Sequence, residues 1–169
     1  MSEKFQIMRK IEIDAAHRVP EHGSKCSKIH GHRYVIEAHC AGELASAGEE
    51  TGMVMDFSFL KDEMDKRIGT IYDHALILCA NDKAALAYDA YLREPHSTLF
   101  GNYHHVFINH EHAKVVIVQH APTAENLARV WYRELYQSVR ERTGRRAHLA
   151  KIVVWETPNC CASFPHYGK

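Results

Sequence analysis

The chain has 169 residues, 46% of them hydrophobic and 25% charged, with Lys plus Arg and Asp plus Glu both at 21. That length is most simply one domain with a core of its own, and a net charge of zero argues against a general nucleic-acid binder and against docking on an anionic membrane. No apolar run approaches the roughly 20 residues of a membrane span, and MSEKFQIMRK at the N-terminus lacks an apolar signal core, so a cytoplasmic protein is expected.

The first element is FQIMRKIEIDAAH, which alternates loosely from Ile7 to Ile13 and reads as a strand. VPEHGSKCSK carries Pro and Gly and reads as a loop; RYVIEAHC is β-branched and aromatic and reads as a second strand, pairing with the first as an antiparallel hairpin. After the loop AGELASAGEETG, Phe57, Leu60, Met64 and Ile68 lie at helical spacing, with Asp56 as N-cap and Gly69 as the stop. Residues 79–113 are the least legible and read as an insertion: a short helix over 82–92, then a loop rich in His, Asn and aromatics. KVVIVQH reads as a buried strand. The clearest helix opens at PTAEN, with Thr123 as N-cap, an apolar stripe of Leu127, Val130, Trp131, Leu135 and Val139, and Gly144 as the stop. HLAKIVVWETPNCCASF closes the chain as strand, turn at 157–159 and short strand. The order is α+β, with helices covering one face of an antiparallel sheet.

Histidine is the anomaly, at 14 residues. In CSKIHGHRY, His30 and His32 lie two apart, so an extended backbone projects both to one face. His17 ends strand one, at the same end of the hairpin. Three imidazoles there would leave a bound Zn²⁺ one open position, the layout of a catalytic site; the plainer reading is a polar turn. Cys26, four residues before His30, is open to three readings: a fourth metal ligand, a nucleophile or base beside the metal, or an inert thiol. The five cysteines form no CxxC pair, so a disulfide framework is not expected, and Cys40, Cys79, Cys160 and Cys161 read as buried small hydrophobes. Asp73 and His74 are adjacent, as an acid/base pair would be, or are surface groups at a helix end. Glu125 falls at the second helical position, where a capping box does not need it. Glu156 ends an apolar strand, where a carboxylate could accept two parallel N–H bonds from a flat ligand or be merely solvated. His104, His105, His110, His112 and His120 fit no common metal spacing and read as loop or interface.

Taken together, DAAH at 14–17, SKCSKIHGHRY at 24–34, GMVMDFSFLK at 52–61, YDHALI at 72–77, PTAENLA at 122–128 and VVWET at 153–157 resemble one family. It is the pterin synthases of the tunnelling fold, the 6-pyruvoyl- and 6-carboxy-tetrahydropterin synthases. The three residues between Cys26 and His30 match the carboxy-forming branch of queuosine biosynthesis. The resemblance implies a four-stranded antiparallel sheet with two main helices on one face, closed into a barrel by oligomerisation, often as a hexamer built from two trimers. It implies zinc on His17, His30 and His32, Cys26 as catalytic thiol, and Asp73 and His74 as acid/base partners reaching a site between subunits. Glu156 then anchors the pterin, and Glu125 and Thr123 line the pocket. The implied substrate is 7,8-dihydroneopterin triphosphate and the implied reaction a lyase. A sister pyruvoyl-forming activity, or a histidine-rich metal-binding protein without turnover, are the alternatives.

Overall fold

The computed structural model describes residues 3–85, 98–101, 105–110 and 113–166. Its centre is a long hairpin. Strand β1 (Phe5–His17) pairs antiparallel with β2 (His30–Gly42) in an unbroken register from Phe5↔Gly42 to His17↔His30. The loop between them holds one short 3₁₀ turn, Lys25–Ser27. Strand β7 (Ala147–Thr157) lies on the other edge of β2, and β8 (Cys160–Phe164) pairs with β7. These four antiparallel strands match the expected sheet.

The sheet is nonetheless larger than four strands and not purely antiparallel. Strand β3 (Leu76–Cys79) runs parallel to β1, and β6 (Ala113–Val118) runs parallel to β3. Strands β5 (His105–His110) and β4 (Thr98–Gly101) extend that edge, giving eight strands in the order β4-β5-β6-β3-β1-β2-β7-β8. The predicted histidine-rich loop is therefore partly strand: His105 and His110 belong to β5, while His104 and His112 lie outside the described residues. Of the predicted helix over 82–92, residues 83–85 are helical and the rest lies outside the described residues.

Helix α1 (Phe57–Met64) starts where Asp56 accepts the Ser58 N–H. It does not stop at Gly69. The chain passes through a wider π-helical turn, Asp65–Gly69, and a last turn, Thr70–Tyr72. Gly69 keeps helical dihedrals (φ −54, ψ −58), because a lone glycine weakens a helix without ending it. Helix α2 (Ala124–Thr143) behaves as predicted: Thr123 caps its start, and Gly144 ends it in the left-handed conformation at φ 56. Among the described residues, no helix is long and apolar enough to cross a membrane.

Both helices cover the same sheet face. Leu60 and Met64 from α1, Ile68 from the π-helical turn, and Leu127, Trp131 and Leu135 from α2 meet Ile13, Tyr34, Ile36, Ile152 and Val154, all buried. Each such side chain contributes about 1.5–3 kcal/mol on burial. The strand period places Ile11, Ile13, Ala15 and His17 on this face of β1, and His30, His32, Tyr34 and Ile36 on this face of β2. The histidines are thus the end of the apolar face, not a separate loop feature.

At the hairpin's other end, Gly42 lies against β7, where a Cβ would sit 2.5 Å from Ala147 Cα and 2.6 Å from the Arg146 carbonyl oxygen. Both obstacles are backbone. Gly42→Ala is expected to destabilise the protein by about 1–3 kcal/mol, read as a lowered denaturant midpoint with the metal site intact.

Candidate metal centre and its surroundings

His17, His30 and His32 converge. One ring nitrogen from each lies within 4.8 Å of the others, and the ring centroids are 4.5, 5.2 and 5.0 Å apart. The register explains this: His17 is directly opposite His30, and His32 is opposite Ala15, whose small side chain leaves room. Tyr34 supports the cluster from below, edge-on at 5.9 Å to His17 and 5.6 Å to His32, and itself meets Trp131 of α2 at 6.3 Å.

Second contacts aim the rings. His17 Nδ1 lies 2.7 Å from the Pro122 carbonyl and His30 Nδ1 lies 2.8 Å from the Lys28 carbonyl. A carbonyl can only accept, so both Nδ1 atoms carry the proton and both Nε2 atoms present lone pairs. The Nε2 atoms of His17 and His32 are buried and lack a hydrogen-bond partner, which is costly unless something fills the gap between them. Burial holds His17 and His32 below the ordinary histidine range, only partly offset by the Pro122 carbonyl at His17 and by Glu156 at both. Neutral rings are what a metal needs.

Glu156 adds the charge. Its Oε1 lies 3.5 Å from His17 Nε2 and 3.9 Å from His32 Nε2. These would be ion pairs only with protonated rings, and the lowered histidines argue against that. The β7–β8 register shifts between Trp155 and Thr157, and such a bulge re-aims a side chain; here Glu156 points at the histidines. Three imidazoles beside one carboxylate fit a divalent cation.

Cys26, Thr123, Glu125 and Glu156 border one cavity of about 240 Å³ with His17 and His30. Six of the nine singled-out site residues therefore share a cavity, and His32 joins them through the metal cluster. Cys26 is half-buried in the 3₁₀ turn Lys25–Ser27, outside the described histidine cluster. Cys40 and Cys79 are buried as expected, but Cys160 and Cys161 are exposed and border this same cavity. They follow the turn after Glu156, and that adjacency was the only signal for them.

Asp73 and His74 lie elsewhere. His74 borders a different concavity, about 660 Å³, with Asp14, Arg33, Lys114 and His32. The dyad itself is real: His74 Nδ1 is 2.9 Å from Asp73 Oδ2, and the His74 side chain is 78% exposed. Burial would raise the Asp73 carboxyl, but the Asp14 N–H and His74 outweigh it and hold it below the usual range.

The chain belongs to the 6-pyruvoyl tetrahydropterin synthase family, whose model matches residues 6–166. Within that class it is similar to the 6-carboxy-5,6,7,8-tetrahydropterin synthase of Rickettsia felis, 34% identical over 90% of this chain and 94% of the relative. The enzyme of the same name from Haemophilus influenzae is 29% identical over 91% and 94%. Among solved structures, an uncharacterised Wolinella succinogenes protein superimposes with a TM-score of 0.77 at 20% identity, covering 96% of this chain and 98% of that one. The 6-pyruvoyl tetrahydropterin synthase of Plasmodium vivax gives 0.64 at 17%, covering 96% and 97%. These two likenesses establish the tunnelling fold.

Proposed function

We propose that the protein is a zinc-dependent lyase that converts 7,8-dihydroneopterin triphosphate and water to 6-carboxy-5,6,7,8-tetrahydropterin, acetaldehyde and triphosphate, in queuosine biosynthesis in the cytoplasm. One observation carries this reading: His17, His30 and His32 converge within 4.8 Å beside the cavity that Cys26 and Glu156 border, in a chain 34% identical over 90% of its length to proteins named 6-carboxy-5,6,7,8-tetrahydropterin synthase.

His17, His30 and His32 would hold the zinc. When bound, the ion supplies Lewis-acid stabilisation of negative charge developing on side-chain oxygens. Glu156 accepts two N–H bonds from the aminopyrimidinone edge and fixes the ring's register. Thr123 and Glu125, at the start of α2, shape the wall beside it. The Cys26 thiolate removes a carbon-bound proton from the substrate side chain. His74, held by Asp73, moves protons to and from the pterin or its side-chain oxygens. No nicotinamide is needed, because the ring is reduced at the expense of its own side chain.

Cys26 and His74 border different concavities of one chain. For both to reach one substrate, a neighbouring copy must present its Asp73–His74 dyad, so the reading includes a homo-oligomer, a hexamer by family resemblance. Pairing across subunits would also remove the open edges of the sheet.

The family model's own description favours one second reading, the pyruvoyl-forming reaction. Metal titration separates both enzyme readings from a metal-buffering protein. The enzyme reading predicts about one tight zinc per chain, with chelation abolishing substrate consumption and zinc restoring it. Several weak sites spread over the remaining histidines, with no substrate consumed, would contradict it.

A further inference from the structure

The His74 backbone is unusual: its φ is +58, a conformation uncommon among non-glycine residues. The peptide unit leading into it is clamped at both ends. Its N–H, that of His74, donates to the Asp14 carbonyl at 2.7 Å. Its carbonyl, that of Asp73, accepts from Lys114 Nζ at 2.7 Å. The same ammonium donates to the Thr70 carbonyl at 2.7 Å. Thr70 lies in the last helical turn, and the N–H four residues on, which would ordinarily bond to its carbonyl, is the His74 N–H already given to Asp14. A cation here also suits the negative end of the helix.

Lys114 reaches this point from β6, whose parallel pairing with β3 begins at Leu76↔Val115, directly after the dyad. Its stem is half-buried, and burial pulls the ammonium below the ordinary lysine range, with Asp73 opposing. On the other side, the Asp73 carboxylate is divided between two donors. Oδ1 accepts the Asp14 N–H at 2.9 Å, and Oδ2 accepts from His74 Nδ1 at 2.9 Å. Backbone and side chain are thus fixed together, and His74 Nε2 is the atom left to face the concavity.

We propose that Lys114 is a positioning residue for His74: by fixing the Asp73–His74 peptide and the end of the helix, it holds the His74 ring in its Nδ1–H tautomer with Nε2 directed outward. Its consequence for turnover rests on the acid/base role given to His74 above. Lys114 touches no reacting atom in this account, and its two carbonyl partners engage the ammonium that a phosphate would otherwise need.

The test uses zinc-loaded full-length protein, histidine-labelled with ¹⁵N, and the variants K114M, K114R and H74N. Long-range proton–nitrogen spectra, with the His74 signals assigned by their loss in H74N, are expected to show the Nδ1–H tautomer in the native protein. K114M, which keeps the stem's packing, is expected to give a mixture of tautomers and to lower kcat roughly 10- to 100-fold with KM changed less than about twofold. K114R is expected to recover most of both. Unchanged His74 signals in K114M would overturn the proposal, as would a rise in KM with kcat preserved, which would assign Lys114 to substrate phosphate. Absence of turnover in the native protein would overturn the functional reading instead, and the tautomer result would still decide the role of Lys114.

Discussion

Cys26→Ala is expected to lower turnover by roughly 10²- to 10⁴-fold, the range typical for loss of a general base, and to leave the zinc content unchanged. The fold has no need of the thiol. Cys26 acts structurally through its backbone: its carbonyl accepts the Val19 N–H at 2.8 Å, and its own N–H lies 3.4 Å from the Ser24 hydroxyl. Alanine keeps both. The three imidazoles are the groups that would hold a metal, and those of His17 and His30 are oriented by the Pro122 and Lys28 carbonyls, not by sulfur. Metal analysis and a steady-state rate on the same sample separate the possibilities left open by the sequence. Loss of zinc together with activity would make Cys26 a ligand and the site a closed, structural one. Full activity would make it inert.

His17→Ala is expected to remove zinc and with it all measurable turnover. His17 is the most enclosed of the three, at 1% exposure, and the change does two kinds of damage. It deletes one of three ligands. It also strands the Pro122 carbonyl just before α2, a loss of about 1–3 kcal/mol for an unsatisfied buried acceptor. The metal-free variant should therefore melt below the metal-free native protein, and added zinc should raise the native melting temperature while leaving that of the variant in place. A variant that still binds zinc tightly would show that His30 and His32 form a site with some other group, such as Glu156, whose Oε1 lies 3.9 Å from His32 Nε2.

Much of the site could be read from the sequence because its main parts are local. The HxH spacing and the strand period place His30 and His32 on one face without any knowledge of tertiary structure, and a hairpin brings His17 to them. Asp56, Thr123 and Gly144 mark helix ends through short-range hydrogen bonding and backbone preference, so they too are visible. Gly69 misled because a glycine can be carried through a helix when packing on both sides sustains it; Met64, Ile68 and Tyr72 are all buried. The β3–β6 edge was illegible for a different reason. Parallel pairing joins residues far apart in the chain, as in Leu76↔Val115, and short apolar runs carry no sign of their partners. Lys114 was hidden in the same way: its two carbonyl partners precede it by 44 and 41 residues. Cys160 and Cys161 were misjudged because small apolar strand residues are ordinarily buried, whereas β8 ends the sheet and leaves them open at the cavity.

The most direct test of the account is the identity of the products. Zinc-loaded protein is incubated with 7,8-dihydroneopterin triphosphate, and pterins and aldehydes are resolved together. The account predicts 6-carboxy-5,6,7,8-tetrahydropterin and acetaldehyde in equal amounts. Triphosphate released with a pyruvoyl pterin and no acetaldehyde would contradict it.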